Sequence, residues 1–491
     1  MKKDGRYYLV HYSGNASYVE LPKQFRDSGN VVASYGVRGY AFAHMEYVSH
    51  VSLGDGVSFL EDYALCDSHV THLHIGDDLA SIGNMAFFGM SELTSFSVSN
   101  NNDCFSTDGN GILFNKDKTT LIHFPRKLGL TSYTVPDSVR TIMDYAILGE
   151  SLSSLTLGLN VVEIGENNFG SITELTIQND VQSVDIGPIT TLVCVNIGKN
   201  VTDLSHWGFK DDSSGIYNKP GLSRFGYYSL EKFVVSEENK HFTSSDGILY
   251  NKDMSVLLMC PNTLAVDSII DGVIKIADYA FKGCHNVTTM VLCSDVTEIG
   301  VSAFEYCENI RTVSIPDSVM TIGDSAFSCC YSLSSITIPD SVTTIGDHAF
   351  WNCEFLSSVI ISDSVTSIGT YAFSECRSLK DVTIGKNITT LYGNPFYRCS
   401  PELKFNYGGD NSDYTLYSVL PFGKRMEITE ERLVGMEAFF WYNGDVFSTE
   451  IRIEESKNIG DYLTPTIIGS VVVLVGIAGL IAFFIRRRML F

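Results

Sequence analysis

The sequence predicts a repeat solenoid, built from short parallel β-strands and short helical turns in coils of about 23 residues, with a single C-terminal transmembrane helix. Two observations carry this. Cys284, Cys307, Cys330, Cys353, Cys376 and Cys399 stand at an unbroken 23-residue spacing, and Phe281, Phe304, Phe327, Phe350, Phe373 and Phe396 keep the same step. Far from the repeats, residues 466–485 form an uncharged apolar stretch of 20 residues, TIIGSVVVLVGIAGLIAFFI. As a helix it would span about 30 Å, the thickness of a bilayer core.

The clearest coils run from Val287 to Cys399. Each opens with a short alternating β-branched run such as SSITI, and apolar residues at positions 1, 4 and 6 of the coil, as in Leu333, Ile336 and Ile338, point into the core. A Pro-Asp-Ser turn follows at Pro316–Ser318 and Pro339–Ser341, with its carboxylate expected on turn backbone. A second short strand ends at Ile-Gly. A brief helical turn is then expected to carry Ala-Phe-x-x-Cys inward. The frame reaches back with decay to about Val48.

A residue fixed at one position of every coil forms a column. Adjacent rungs lie about 4.8 Å apart, within disulfide range. Parallel Cα–Cβ vectors make bridging awkward, so the cysteine column reads as a buried thiol ladder. Phe327 should sit between Phe304 and Phe350 in the neighbouring column.

Two similar inserts interrupt the array, FSTDGNGILFNKDKTTLIHFP at 105–125 and FTSSDGILYNKDMSVLLMCP at 242–261. Both fit β-hairpins that protrude or cover an edge. Asp4 to Pro22 resembles a looser third copy. The organisation expected is an N-terminal hairpin or cap over 1–36 and the solenoid over 37–400, with inserts near 99–129 and 236–264. A C-terminal cap and juxtamembrane stalk over 401–462, the span over 466–485 and a cytosolic tail over 486–491 complete it.

The net charge is −23 over 491 residues, which argues against a nucleic-acid partner. Arg486, Arg487 and Arg488 follow the span, whereas Glu454, Glu455 and Asp461 precede it. The positive-inside rule then places the repeats outside the cell membrane and the C-terminus in the cytosol. Met1–Tyr12 holds no apolar signal-peptide core, so an upstream start is expected, the alternatives being unconventional export or a tail-anchored protein with its repeats in the cytosol.

Positions 3 and 5 of each first strand face solvent and form a hydroxyl-rich strip. Thr312, Ser314, Ser335, Thr337, Ser358 and Thr383 lie on it and are the candidate ligand-binding residues. β-Propensity alone also places Ser and Thr there. Nearer the N-terminus the same positions hold His50, His72 and His74, the only candidate metal ligands, although a histidine patch without metal is the plainer reading. No G-x-S-x-G, H-E-x-x-H, P-loop or CxxC motif occurs. Neither an enzyme activity nor a cofactor is expected.

The coil IPDSVTTIGDHAFWNCEFL closely resembles the BspA-like, or Treponema pallidum-type, leucine-rich repeat. The resemblance covers about residues 37–400. It implies a leucine-rich-repeat solenoid and a microbial surface protein of adhesin type that recognises extracellular protein or glycan ligands, and it brings no catalytic residues. The alternative is a structural cell-envelope or coat component without a specific ligand.

Overall fold

The computed structural model describes residues 2–403, except 4, 44, 46, 185–190, 205–228, 386, 389, 393, 394 and 401, and the strand backbones at 404–407, 415–417, 437–442 and 445–450. The chain divides into two compact units, 1–310 and 311–491. The expected span at 466–485, with Arg486, Arg487 and Arg488, lies outside the described residues. Among the described residues no helix is long and apolar enough to cross a membrane.

Each unit is a parallel β-solenoid. In the second, Ser335–Ile338, Ser358–Ile361, Asp381–Ile384 and Lys404–Tyr407 pair in parallel on one face. The short strands Thr321–Ile322, Thr344–Ile345, Ser367–Ile368 and Thr390–Leu391 pair in parallel on another. Leu333, Ile336 and Ile338 are buried, as their positions in the coil require. Between the sheets stand the two columns. Phe327, Phe350, Phe373 and Phe396 are stacked, with adjacent ring centroids 5.2, 5.0 and 5.4 Å apart. Beside them the thiols of Cys353, Cys376 and Cys399 donate to the carbonyls of Phe327, Phe350 and Phe373 at 3.1, 3.2 and 3.1 Å. The ladder is therefore one of thiols, each satisfying a buried carbonyl of the coil before it.

The helical turns expected over Ala-Phe-x-x-Cys do not form; the described residues contain no helix. The cause is a pair of left-handed residues in each arc. Ser325 and Cys329 have φ of 54° and 58°, His348 and Asn352 55° and 59°, and Tyr371 and Glu375 55° and 61°. Each costs an L-residue about 1–2 kcal/mol and breaks any run of right-handed turns. In exchange, alternate N–H groups point to the next coil: Ser325, Phe327 and Cys329 donate to the carbonyls of Asp347, Ala349 and Trp351 at 2.7, 2.7 and 2.8 Å. The arc is thus a third hydrogen-bonded ladder, which gives these buried donors their partners. The Ile-Gly corner packs equally closely. A Cβ on Gly346 would lie 2.6 Å from both the backbone nitrogen and Oδ1 of Asp324, whose carboxylate accepts the N–H of Asp347 at 2.8 Å.

The first unit repeats this plan and is interrupted twice. Tyr18–Glu20, His50–Leu53, His72–Ile75 and Ser95–Val98 form one parallel sheet. A second sheet starts at Ser132–Thr134 and runs through Ser154–Thr156, Glu174–Ile177 and Cys194–Ile197 to Lys232–Val235. After each comes one of the two inserts. Phe105–Thr107, Leu113–Asn115 and Thr120–His123 are antiparallel, but the last then pairs in parallel with Thr141–Ile142 of the next coil. Phe242–Ser245, Ile248–Asn251 and Val256–Met259 do the same, ending on Lys275–Ile276.

These inserts do not protrude. Leu113 joins the apolar core that precedes it, whereas Ile112 and Phe114 join the core that follows. Period-2 alternation turns the strand into a partition with an apolar face on each side. The Gly111 and Gly247 carbonyls accept the N–H of Phe96 and Phe233, at 2.9 and 2.8 Å, and so cover the sheet edges. The Lys116-Asp117 and Lys252-Asp253 turns are exposed, as are Gly109, Asn110 and Asp246 at the other hairpin turns. The looser third copy is a smaller hairpin, Lys2–Lys3 with Arg6–Leu9, whose second strand pairs in parallel with Tyr35–Val37.

Candidate functional site

The exposed sheet face is assembled by strict register. In the second unit Ser335, Ser358, Asp381 and Lys404 form one row and Thr337, Ile360, Thr383 and Asn406 the next. Ser335 and Thr337 are exposed, Ser358 and Thr383 partly so, and Thr312 and Ser314 lie exposed on the strand Thr312–Ser314. Ile336, Val359 and Val382 lie buried directly beneath. A change of an outward side chain therefore leaves the core untouched. Ile360, half exposed at 50%, sits among the hydroxyls and adds an apolar contact that a purely hydroxyl strip would lack.

In the first unit the same rows carry the histidines. His50 pairs with His72, and Ser52 with His74. The His50 and His72 rings stack at 4.5 Å between centroids and 3° between planes. Burial, and secondarily the neighbouring His50, holds the His72 imidazole below its ordinary pKa. Tyr18, 58% exposed, extends the row on the other side of His50. The three imidazoles do not converge, because His74 turns its Nδ1 to Ser97 Oγ at 2.9 Å. Among the described residues no group of three or more His, Cys, Asp and Glu side chains is placed to hold a metal ion.

A second set of side chains recurs on the arcs, exposed at Tyr40 and partly buried elsewhere. The left-handed residue before each Ala is a tyrosine at Tyr40, Tyr63, Tyr145, Tyr279 and Tyr371. Tyr40 and Tyr63 stack at 5.4 Å. The recurring Tyr-Ala pair is its signal in the sequence. Burial pushes the Cys307 and Cys353 thiols well above their ordinary pKa, so both stay protonated. The Pro-Asp-Ser carboxylate of Asp137 accepts the N–H of Leu159 at 2.8 Å, a structural use.

The model of the BspA type leucine rich repeat region matches residues 32–128, 123–215 and 274–402, with six copies. Among solved structures the chain is similar to a leucine rich cell surface protein from Faecalibacterium prausnitzii, at 22% identity over 76% of this chain and 88% of that one, with a TM-score of 0.42. It is similar to a leucine-rich repeat protein from Bacteroides ovatus, at 18% identity over 80% and 92%, also with a TM-score of 0.42. A leucine rich repeat protein from T. pallidum is 30% identical over 30% of this chain and 77% of that one, with a TM-score of 0.25. No curated protein sequence matches the chain.

Proposed function

Because the chain belongs to the BspA type leucine-rich repeat family, whose repeats generally serve as binding scaffolds, we propose that it is a membrane-anchored cell-surface protein of adhesin type. Its ligand is an extracellular protein or glycan, recognised through the exposed sheet face. One observation carries this reading: an in-register patch of Ser335, Thr337, Ser358 and Ile360, four uncharged side chains on an acidic chain, with Ile336 and Val359 buried beneath. Such a surface can be desolvated at low cost and offers regularly spaced hydroxyl donors and acceptors.

The test is a binding assay of the chain against matrix proteins, glycans and whole cells. Ser335→Glu together with Thr337→Glu should leave the fold intact and weaken attachment at least about tenfold, since each leaves an unpaired charge in the contact, beside Ser358 and Ile360. Charge reversal at the exposed insert turns, Lys116→Glu and Lys252→Glu, is the comparison. Loss of binding only in the turn variants would move the site off the sheet face. Self-association with no saturable ligand would favour a structural coat component.

Anchoring rests on the sequence. Residues 466–485 are apolar and Arg486, Arg487 and Arg488 follow at once, so the repeats face outward. Protease added to intact cells should remove the repeat region. Protection of the repeats until lysis would mean the reverse orientation.

A further inference from the structure

Both inserts set their third strand in the same register. Leu113 pairs with His123 in the first, and Leu249 with Met259 in the second. The fold thus accepts a wholly apolar side chain at this position, yet the first insert carries an imidazole. His123 is buried. Its ring packs on Phe87 and Phe96, with centroids 5.6 and 5.8 Å away and planes inclined at 61° and 83°. Those two rings meet edge-on at 5.1 Å, so three aromatic rings close one pocket. Phe87, Phe96 and Leu113 all belong to the core before the partition. Among the described residues the His123 ring has no hydrogen-bond partner. The strands around it, Ser95–Val98, Phe105–Thr107, Leu113–Asn115, Thr120–His123 and Thr141–Ile142, hold no other titratable side chain. The charges on the adjoining segments are already engaged. Glu92 pairs with Lys127 at 3.1 Å and Arg126 with Glu150 at 3.4 Å, while Asp144 accepts the N–H of Glu166 at 2.8 Å. No carboxylate acts on the imidazole.

We propose that His123 makes the first partition an acid-labile joint: its imidazole takes up a proton by leaving the pocket of Phe87 and Phe96, so the first insert opens in acid while the second stays closed. A charged imidazole in that pocket would lose its hydration and gain no counter-charge. Burial accordingly pushes the His123 pKa from its ordinary 6.5 down to about 4. Released to water, the ring regains its ordinary value. The open form therefore takes the proton as the pH falls through 6.5, and the closed form only near 4. The stability of the closed joint is full above pH 6.5 and is lost progressively between 6.5 and 4. From pH 7 to pH 5 the opening equilibrium rises about twentyfold. Opening also withdraws the Gly111 carbonyl from Phe96 N–H, a bond of 2.9 Å, and leaves the edge strand Ser95–Val98 uncovered.

The experiment follows amide exchange of the full chain by mass spectrometry at pH 7 and pH 5, corrected for the intrinsic pH dependence of exchange. The second insert is the control within the same molecule. In the wild type, opening over 95–123 should rise at least about tenfold relative to 232–259. His123→Met, which copies the second insert, should abolish that rise. Met259→His should confer a rise on 232–259, and it keeps the test decisive where His123→Met does not fold. Equal changes at the two inserts of the wild type would overturn the proposal. So would a rise over 95–123 that survives His123→Met, since other histidines of the first unit would then be responsible.

Discussion

Phe350→Ala is expected to destabilise the second unit by about 3–5 kcal/mol, the range for a large aromatic removed from a packed core. Phe350 is fully buried and stacked on both sides, by Phe327 at 5.2 Å and Phe373 at 5.0 Å. The arc backbone it stands on is tied to its neighbours by ladder bonds, such as Phe350 N–H to Ala372 O at 2.7 Å, so the coils cannot collapse into the void. The loss should spread to adjacent coils, because a solenoid is stabilised by nearest-neighbour contacts. Cys353→Ala should cost only about 1 kcal/mol, as it removes a small apolar group and one weak thiol donation to Phe327 O. Urea unfolding measures both, and amide exchange over 325–376 locates the damage. A loss at Phe350 no larger than that at Cys353 would refute the stacked-column account. Reducing agent should leave the wild type unchanged; destabilisation by it would mean a bridged ladder.

The period makes the core legible because every buried column repeats an apolar residue, and the aromatic and thiol columns repeat one residue type. It alone assigns Phe327, Cys330, Leu333 and Ile336 to the interior, and all four are buried. The arc conformation is not legible in this way. Left-handed residues are ordinarily announced by glycine, yet here they are Ser325, Cys329, His348 and Asn352, tolerated only because the neighbouring coils hold the backbone. Register places the strip residues and sets His50 beside His72, because residues one period apart must be lateral neighbours. What the side chains do there lies beyond the reach of a repeat pattern. The Ser49 hydroxyl beside His50 Nδ1 also donates to the Ser17 carbonyl, 32 residues away. The inserts are recognisable as hairpins from their turn residues. That the first of them covers an edge by standing between two cores is not, because the apolar run Ile112, Leu113 and Phe114 fits a protruding hairpin as well.

The inserts hold a second large effect, at a residue whose type gives no warning. Asn102 is fully buried, and its side-chain amide bonds to backbone at both ends. Its Nδ2 donates to Gly76 O at 2.7 Å and Leu79 O at 3.0 Å in the preceding coil. Its Oδ1 accepts from the N–H groups of Cys104 and Phe105 at 2.9 and 2.8 Å, where the insert begins. Asn239 repeats the arrangement at the other insert, donating to Gly198 O and Val201 O at 2.7 and 2.9 Å and accepting from His241 and Phe242 at 2.8 Å each. One amide thus fastens the entry of each partition to the coil below, and only an amide of this length supplies two donors and an acceptor together. Asn102→Ala should cost about 3–5 kcal/mol, because each buried group left unpaired costs about 1–3 kcal/mol and several are exposed at once. Asn239→Ala should match it. Asn102→Asp keeps the acceptor but removes both donors and buries a charge, so it should be no better than alanine. Urea unfolding of the three variants decides the matter. Losses below about 1 kcal/mol would show that the partitions are held by their apolar faces alone.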